Sequence, residues 1–462
     1  MMAALRRAAL IAPWTLGLWT SCDTSPCDIP DLKDLCPVRM ATDPVARFDR
    51  IKGSKYQVSI DVLGADAAPV ASLMQVNPDA TITVNGTQVT ASQGSDKGHF
   101  DIVVEPFDLK PFRPGLATLQ VRVGSRLMSP LWPARIVTPP LWTMLMPSLY
   151  ADANKESASA VQIGPIGAGA QASLLVREKH KPIATSYARL AKYDLNKVDY
   201  SLVRDDIFTS TYAFQPPESL LTLSRYAVLN QQTGGVQGLP LGAGAPITPL
   251  ALTLNGPFVQ LSGATDQTVG WISGGSQVTA FTLDAPTGGT PMFAPMAGTP
   301  IDLGMPASKY LLAARSSASQ PGPQIDAVAV APETGDVAVL RYDASSSSYI
   351  KDSVLSKNAT TALMGSKAPA AVALHDVDLD GLTDLVWATQ ETPSQVYWSA
   401  LKDDQTFTPP QPTGIAVADV ISIAVGDLSG DGLPDLALAT YGTKAGLPVS
   451  SLVVCRNAVR LP

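Results

Sequence analysis

Residues 371–388 read AVALHDVDLDGLTDLVWA, and residues 422–439 read SIAVGDLSGDGLPDLALA. The two stretches align without a gap, Asp376 over Asp427, 51 positions apart. Each is a short apolar run, an acidic loop with one central glycine in common, and a second apolar run. Apolar runs of this length between turn residues read as buried strands. The loops are Asp376-x-Asp378-x-Asp380-Gly381-x-x-Asp384 and Asp427-x-Ser429-x-Asp431-Gly432-x-x-Asp435. Alternate oxygen-bearing side chains project toward one centre, and the glycine permits the turn that brings the chain back over it. A hard cation with six to eight oxygen ligands at ~2.3–2.6 Å suits such a donor set, which points to Ca²⁺. Softer metals prefer imidazole or thiolate, and neither stands in the loops. An EF-hand begins similarly but needs a glutamate at its twelfth position. Here that position holds Trp387 or Leu438 inside an apolar run, so the loop feeds a strand and not a helix.

A period near fifty residues with several strands per unit is the pattern of propeller blades. Fainter copies lie upstream. QIDAVAVA places Asp326 where Asp384 and Asp435 stand, with Ala318 at the first loop position, so no calcium is expected there. DQTVGW with Asp266 and KVDYSLV with Asp199 are weaker echoes without the acidic loop. From Leu141 to Pro462, at about fifty residues per blade, the chain has room for about six blades, or seven.

The strand, acidic loop, strand unit resembles the FG-GAP or VCBS repeat, a family of β-propellers with calcium loops between blade strands, found in integrin heads and bacterial surface proteins. Carried over by position, the resemblance implies side-chain ligands at Asp376, Asp378, Asp380 and Asp384, and at Asp427, Ser429, Asp431 and Asp435. It implies backbone carbonyl ligands at Leu382 and Leu433. Ser429 stands where the family has Asp or Asn, so the second site is the less anionic and the weaker of the two. Calcium is expected to staple blades rather than to recognise a partner.

Ahead of the repeats the pattern changes. Tyr56, Val58, Ile60 and Val62 alternate with polar residues, and Ile82 and Val84 lead through Asn85-Gly86 to Val89, a strong hairpin signal. Five or more short strands in residues 46–138 predict a small β-sandwich. PGLATLQVRVGS, residues 114–125, is similar to segments of immunoglobulin-like domains. Pro139-Pro140 then breaks the chain, so the propeller is assigned to 139–462 and the whole is expected to be all-β.

Residues 22–45 carry four prolines and read as a tether with cysteines. Before them, Arg6 and Arg7 precede an uncharged stretch from Ala8 to Ser21 that is too short to span a bilayer comfortably. Residues 1–21 read as an export signal. Cys22 directly after small Thr20 and Ser21 resembles a bacterial lipobox, although Trp19 replaces the usual aliphatic residue. The resemblance implies lipidation at Cys22 and a cell-envelope location, in either membrane. An ordinary cleaved signal, with Cys22 in a disulfide and the protein secreted, is the other reading. Cys27 and Cys36 could close a small loop in an oxidising compartment, or Cys455 could reach Cys36.

Of the 462 residues, 33 are Lys or Arg and 40 are Asp or Glu, a net charge of -7. No positive excess is available to neutralise phosphates, which excludes nucleic acid as an expected partner. Three histidines, His99, His180 and His375, argue against a histidine-rich catalytic metal centre. There is no G-x-S-x-G, H-E-x-x-H or Walker A motif. Gly164-x-x-Gly167-x-Gly169 lacks a βαβ context and reads as a loop. His375, beside the first loop, reads as structural, and Trp387, Tyr397 and Trp398 read as packing between blades. The expected function is binding or scaffolding, not enzymatic, with a protein or glycan as partner. A propeller-based polysaccharide lyase or hydrolase is the alternative.

Overall fold

The computed structural model describes residues 292–457 with few gaps and, upstream of them, chiefly the strands between 39 and 284. Residues 1–38, with the export signal, Cys22, Cys27 and Cys36, lie outside the described residues. The described chain is strand nearly throughout, and its helix is Ser353–Met364. No helix among the described residues is long and apolar enough to cross a membrane. The chain divides into two compact units, Met1–Ile136 with Pro462, and Val137–Leu461.

In the first unit, Ala80–Val84 and Thr87–Gln93, the strands on either side of Asn85-Gly86, pair with Val84 opposite Thr87. Ile82 and Val89 sit opposite each other. The pairing links the strands of this unit into one nine-stranded sheet. Tyr56–Leu63 pairs with Ala46–Arg50 on one side and His99–Val104 on the other, so the sheet's path returns on itself. Such closure removes the unpaired N–H and C=O groups that a sheet edge presents. Arg39–Met40, at the end of the expected tether, adds to Tyr56–Leu63 and belongs to the same sheet.

The second unit holds six four-stranded antiparallel sheets among its described residues. In chain order, sheet 1 runs over 156–210, sheet 2 over 220–252, sheet 3 over 269–302, sheet 4 over 311–352 and sheet 5 over 369–417. Sheet 6 takes Asp419–Gly426, Asp435–Lys444 and Leu447–Asn457 from the end of the chain. Its fourth strand is Trp142–Met146, from the start of the unit. First strands of neighbouring sheets lie side by side, in the order of sheets 2, 1, 6, 5, 4 and 3. Between sheets 1 and 6 the Val161 N–H donates to Ser422 Oγ at 3.2 Å. Repetition of one four-stranded unit, with the last sheet completed by the first strand, is a propeller-like arrangement.

Asp384–Thr389 is buried at every position. A strand packed on both faces must be apolar on both, so its sequence reads as a continuous run. Successive side chains serve opposite faces. Trp387 and Leu385 pack with Val328 and Val339 of sheet 4. Val386, by contrast, joins Ile423, Leu438 and Val453 of sheet 6. Leu174 and Val176 of sheet 1 pack with Ala437 and Val454 across the junction that sheet 6 closes.

The helix was not expected from the sequence. Asp352 caps it, its carboxylate accepting from the Val354 and Leu355 N–H groups at 3.0 Å. Burial opposes the charge of Asp352, but these bonds and Arg341 hold its carboxyl below the usual range. Ser356 Oγ and Thr360 Oγ1, one turn apart, accept from the Val339 and Val337 N–H groups at 2.9 Å. Val337 lies beyond the pairing of the fourth strand and Val339 opposite its last residue, so the helix takes over where that strand ends.

Candidate metal centre

The first acidic loop joins Pro369–His375 to Asp384–Thr389, the first two strands of sheet 5. One carboxylate oxygen from each of Asp376, Asp378 and Asp384 lies within 4.8 Å of the others. The loop's own N–H groups fix these side chains. Asp376 Oδ2 accepts from Gly381 N at 2.8 Å, Asp378 Oδ1 from Asp380 N at 3.1 Å, and Asp384 Oδ2 from Val377 N at 2.9 Å. Asp384 Oδ1 accepts from Leu401 N at 3.0 Å, which ties the loop to the end of the third strand. Gly381 has φ +90° and Leu379 +65°, so the turn needs left-handed residues at both positions.

Asp384 is fully buried. Burial, and then the charges of Asp378, Asp380 and Asp376, push its carboxyl well above the usual carboxylate range. A cation held among these oxygens removes that repulsion. Three carboxylates converging from one loop, those of Asp378 and Asp384 buried and that of Asp376 half-buried, fit calcium, each oxygen having two lone pairs. Asp376, Asp378 and Asp384 would hold it. Asp380 lies outside the converging group, and its Oδ1 accepts from the Leu382 N–H at 2.7 Å. Leu382 and Leu433 end their loops with buried side chains.

The second loop, between the first two strands of sheet 6, differs in its chemistry. Asp427 Oδ1 accepts from Gly430 N and Asp431 N, and Asp427 Oδ2 from Gly432 N, at 2.7, 3.0 and 2.9 Å. Asp431 Oδ1 accepts from Leu433 N at 3.0 Å, and Asp431 Oδ2 takes the Arg456 guanidinium at 2.8 Å. Asp435 accepts from Ser429 N at 2.7 Å and from Asn457 N at 2.9 Å. Ser429 occupies the place of Asp378, so the counterpart of the first loop's group has two carboxylates instead of three. Burial pushes the Asp435 carboxyl up to about 6.

An FG-GAP-like repeat matches residues 376–438. The match spans both acidic loops and the strands between them. No curated protein matches the chain. Solved structures resemble it only distantly. U3-55K and the RRP9 WD40 repeats are each 10% identical with a TM-score of 0.35, covering 69% of this chain and 99% and 100% of theirs. A proposed 6-phosphogluconolactonase from Bacteroides uniformis is 13% identical with a TM-score of 0.36, covering 80% of this chain and 95% of its own.

The repeat's final aspartate recurs in sheet 4. Asp326 precedes Ala327–Val330, the second strand there, as Asp384 and Asp435 begin the second strands of theirs. It accepts from Tyr342 N at 2.6 Å on the third strand, as Asp384 does from Leu401 and Asp435 from Asn457. In place of an acidic loop it holds Arg315, at 3.0 Å. Asp199 and Asp266 lie outside the described residues. The strands after them are the fourth of sheet 1 and the first of sheet 3, so they do not share this position.

His375 Nδ1 lies 3.1 Å from the Asp376 carbonyl, and burial lowers its pKa. Trp387 stacks on Tyr397 across the sheet, with centroids 5.9 Å apart, while Trp398 packs with sheet 6. Gly164 is the penultimate residue of Glu156–Pro165 and pairs with Ser173 of Ala172–His180. Cys455 is a buried free thiol, raised to about 12 by burial, and Cys36 lies outside the described residues. Arg456, Arg315 and Asn457 went unseen in the sequence because they lie outside the motif. Arg456 is 25 positions from Asp431, and no spacing rule joins them.

Proposed function

We propose that this chain is an exported surface protein that binds or scaffolds a protein or glycan through a six-bladed, calcium-stabilised β-propeller. Each four-stranded sheet of the second unit is one blade. The observation that carries the reading is the side-by-side order of the first strands, with Trp142–Met146 completing sheet 6. A ring of packed sheets is a rigid support that displays many loops, the usual architecture of a binding surface. Calcium would sit in the first loop on Asp376, Asp378 and Asp384 and hold the first hairpin of sheet 5 in place.

The first unit, read as an immunoglobulin-like module, would carry the propeller away from a lipid anchor at Cys22. The apolar stretch before Cys22 and the small residues beside it support export and lipidation. Mass spectrometry of the mature N-terminus decides this, and an acyl-free chain beginning elsewhere would sink the anchor.

The binding reading is tested with the full chain, in calcium, on glycan and protein arrays. Saturable binding that leaves the captured ligand's mass unchanged is expected. Release of a cleaved or unsaturated sugar would establish the lyase or hydrolase instead.

A further inference from the structure

We infer that sheet 6 carries its own cation, the Arg456 guanidinium, and that its acidic loop folds without calcium and does not bind it. The inference departs from the metal site that the repeat implies for the second loop. It goes beyond the reading of the first loop as a calcium site, which serves only as its comparison.

The Arg456 Nη2 donates to Asp431 Oδ2 at 2.8 Å, both side chains being about one-quarter exposed. A guanidinium placed there repels a second cation and neutralises one of the loop's carboxylates. Asp427, Asp431 and Asp435 each accept protein donors on both oxygens. The loop is therefore closed by hydrogen bonds and one ion pair. With Ser429 in place of an aspartate, only Asp427 and Asp435 remain from the group that converges in the first loop.

The two sheets differ at one decisive position. Leu401 and Asn457 play the same part, each giving its N–H to the last aspartate of its loop. The residue before Asn457 is Arg456, whereas the residue before Leu401 is Ala400, which has no charge to offer. Sheet 4 also sets an arginine against an acidic side chain, Arg315 on Asp326, although Asp326 is the counterpart of Asp435 and not of Asp431. The location matters because sheet 6 completes the unit. Trp142 and Leu141 bond to Pro434 and Asn457, so a built-in cation makes this junction independent of dissolved calcium.

The test uses the full chain with calcium titration calorimetry and thermal melts. The wild-type chain is expected to bind one calcium ion and Asp378→Ala none. Arg456→Gln is expected to melt about 2–4 °C lower than wild type in chelator, and calcium should raise its Tm by more than it raises the wild type's. Calcium binding that persists in Asp378→Ala overturns the inference. So does an Arg456→Gln melt in chelator that matches wild type. If Asp378→Ala fails to fold, the wild-type stoichiometry decides, and two ions overturn it. A wild-type chain that binds no calcium defeats the first-loop reading and agrees with this one, with the Arg456→Gln melt still deciding.

Discussion

The indole N–H of Trp142 donates to the carbonyl of Pro434 at 2.7 Å, across 292 positions of sequence. Beside it, Leu141 N donates to Asn457 Oδ1 at 3.0 Å, and Asn457 N donates to Asp435 Oδ1 at 2.9 Å. The strand that opens the second unit is thus fastened to the acidic loop near its end. Trp142→Phe keeps the ring buried but leaves the Pro434 carbonyl without its donor. A loss of about 1–3 kcal/mol is expected in urea unfolding, with the m-value unchanged. A loss within error would mean that the strand ladder alone holds the junction.

Gly426 is set by sterics. A Cβ at this position would lie 2.8 Å from Ile163 Cγ2 and 3.2 Å from Ile163 Cβ. Gly426→Ala is expected to cost about 1–3 kcal/mol by overpacking the first strands of sheets 1 and 6. Ile163→Ala, itself destabilising, should relieve that clash. The double variant is then less damaged than the sum of the singles, and strict additivity in a double-mutant cycle would exclude the clash.

Calcium removal should act on sheet 5. Chelator is expected to lower the melting temperature of wild type and to have much less effect on Asp378→Ala. At a hundredfold excess over Kd the stabilisation is about 2.7 kcal/mol. Calcium must displace the proton that burial and neighbouring carboxylates hold on Asp384, so affinity should rise with pH. Titration calorimetry at pH 5 and pH 7 checks the direction, and equal affinities would remove Asp384 from the site.

Asp435 gives a pH signature of its own. Its carboxyl is at about 6 in the folded chain against 3.8 ordinarily, so between these values the native state holds a proton that the unfolded state has lost. Its contribution is therefore present below about pH 4 and is lost as pH rises through 6. Against Asp435→Asn, wild type should lose up to about 3 kcal/mol between pH 4 and pH 7. A pH-independent difference would contradict the burial that raises this group.

A chain beginning at Leu141 keeps Trp142–Met146 and every strand of the six sheets. It is expected to be soluble and to unfold in one cooperative step that still responds to calcium. If it is soluble only with residues 46–138 attached, the two units share a core.

The sequence alone fixed the hairpins of sheets 5 and 6, because their signals are local. Apolar runs, an acidic loop and a glycine within eighteen residues specify strand, turn and strand wherever they occur. Asn85-Gly86 worked the same way, and Asp326 was found by its place before an apolar run. The sequence also offered eight side chains as ligands and ranked the two loops, but could not rank the side chains within a loop. Packing decided which three carboxylates converge. The turn positions were only half legible: Gly430 at φ +72° announces a left-handed residue, while Leu379 adopts +65° in the same place without a glycine. What the tertiary structure alone decided are the long-range partners. Trp142 on Pro434, Arg456 on Asp431, Arg315 on Asp326 and the helix over Val337 and Val339 join separate strands or loops. No periodicity encodes them, because such contacts depend on where the sheets come to rest, and that is settled by burial over the whole unit rather than by any one segment.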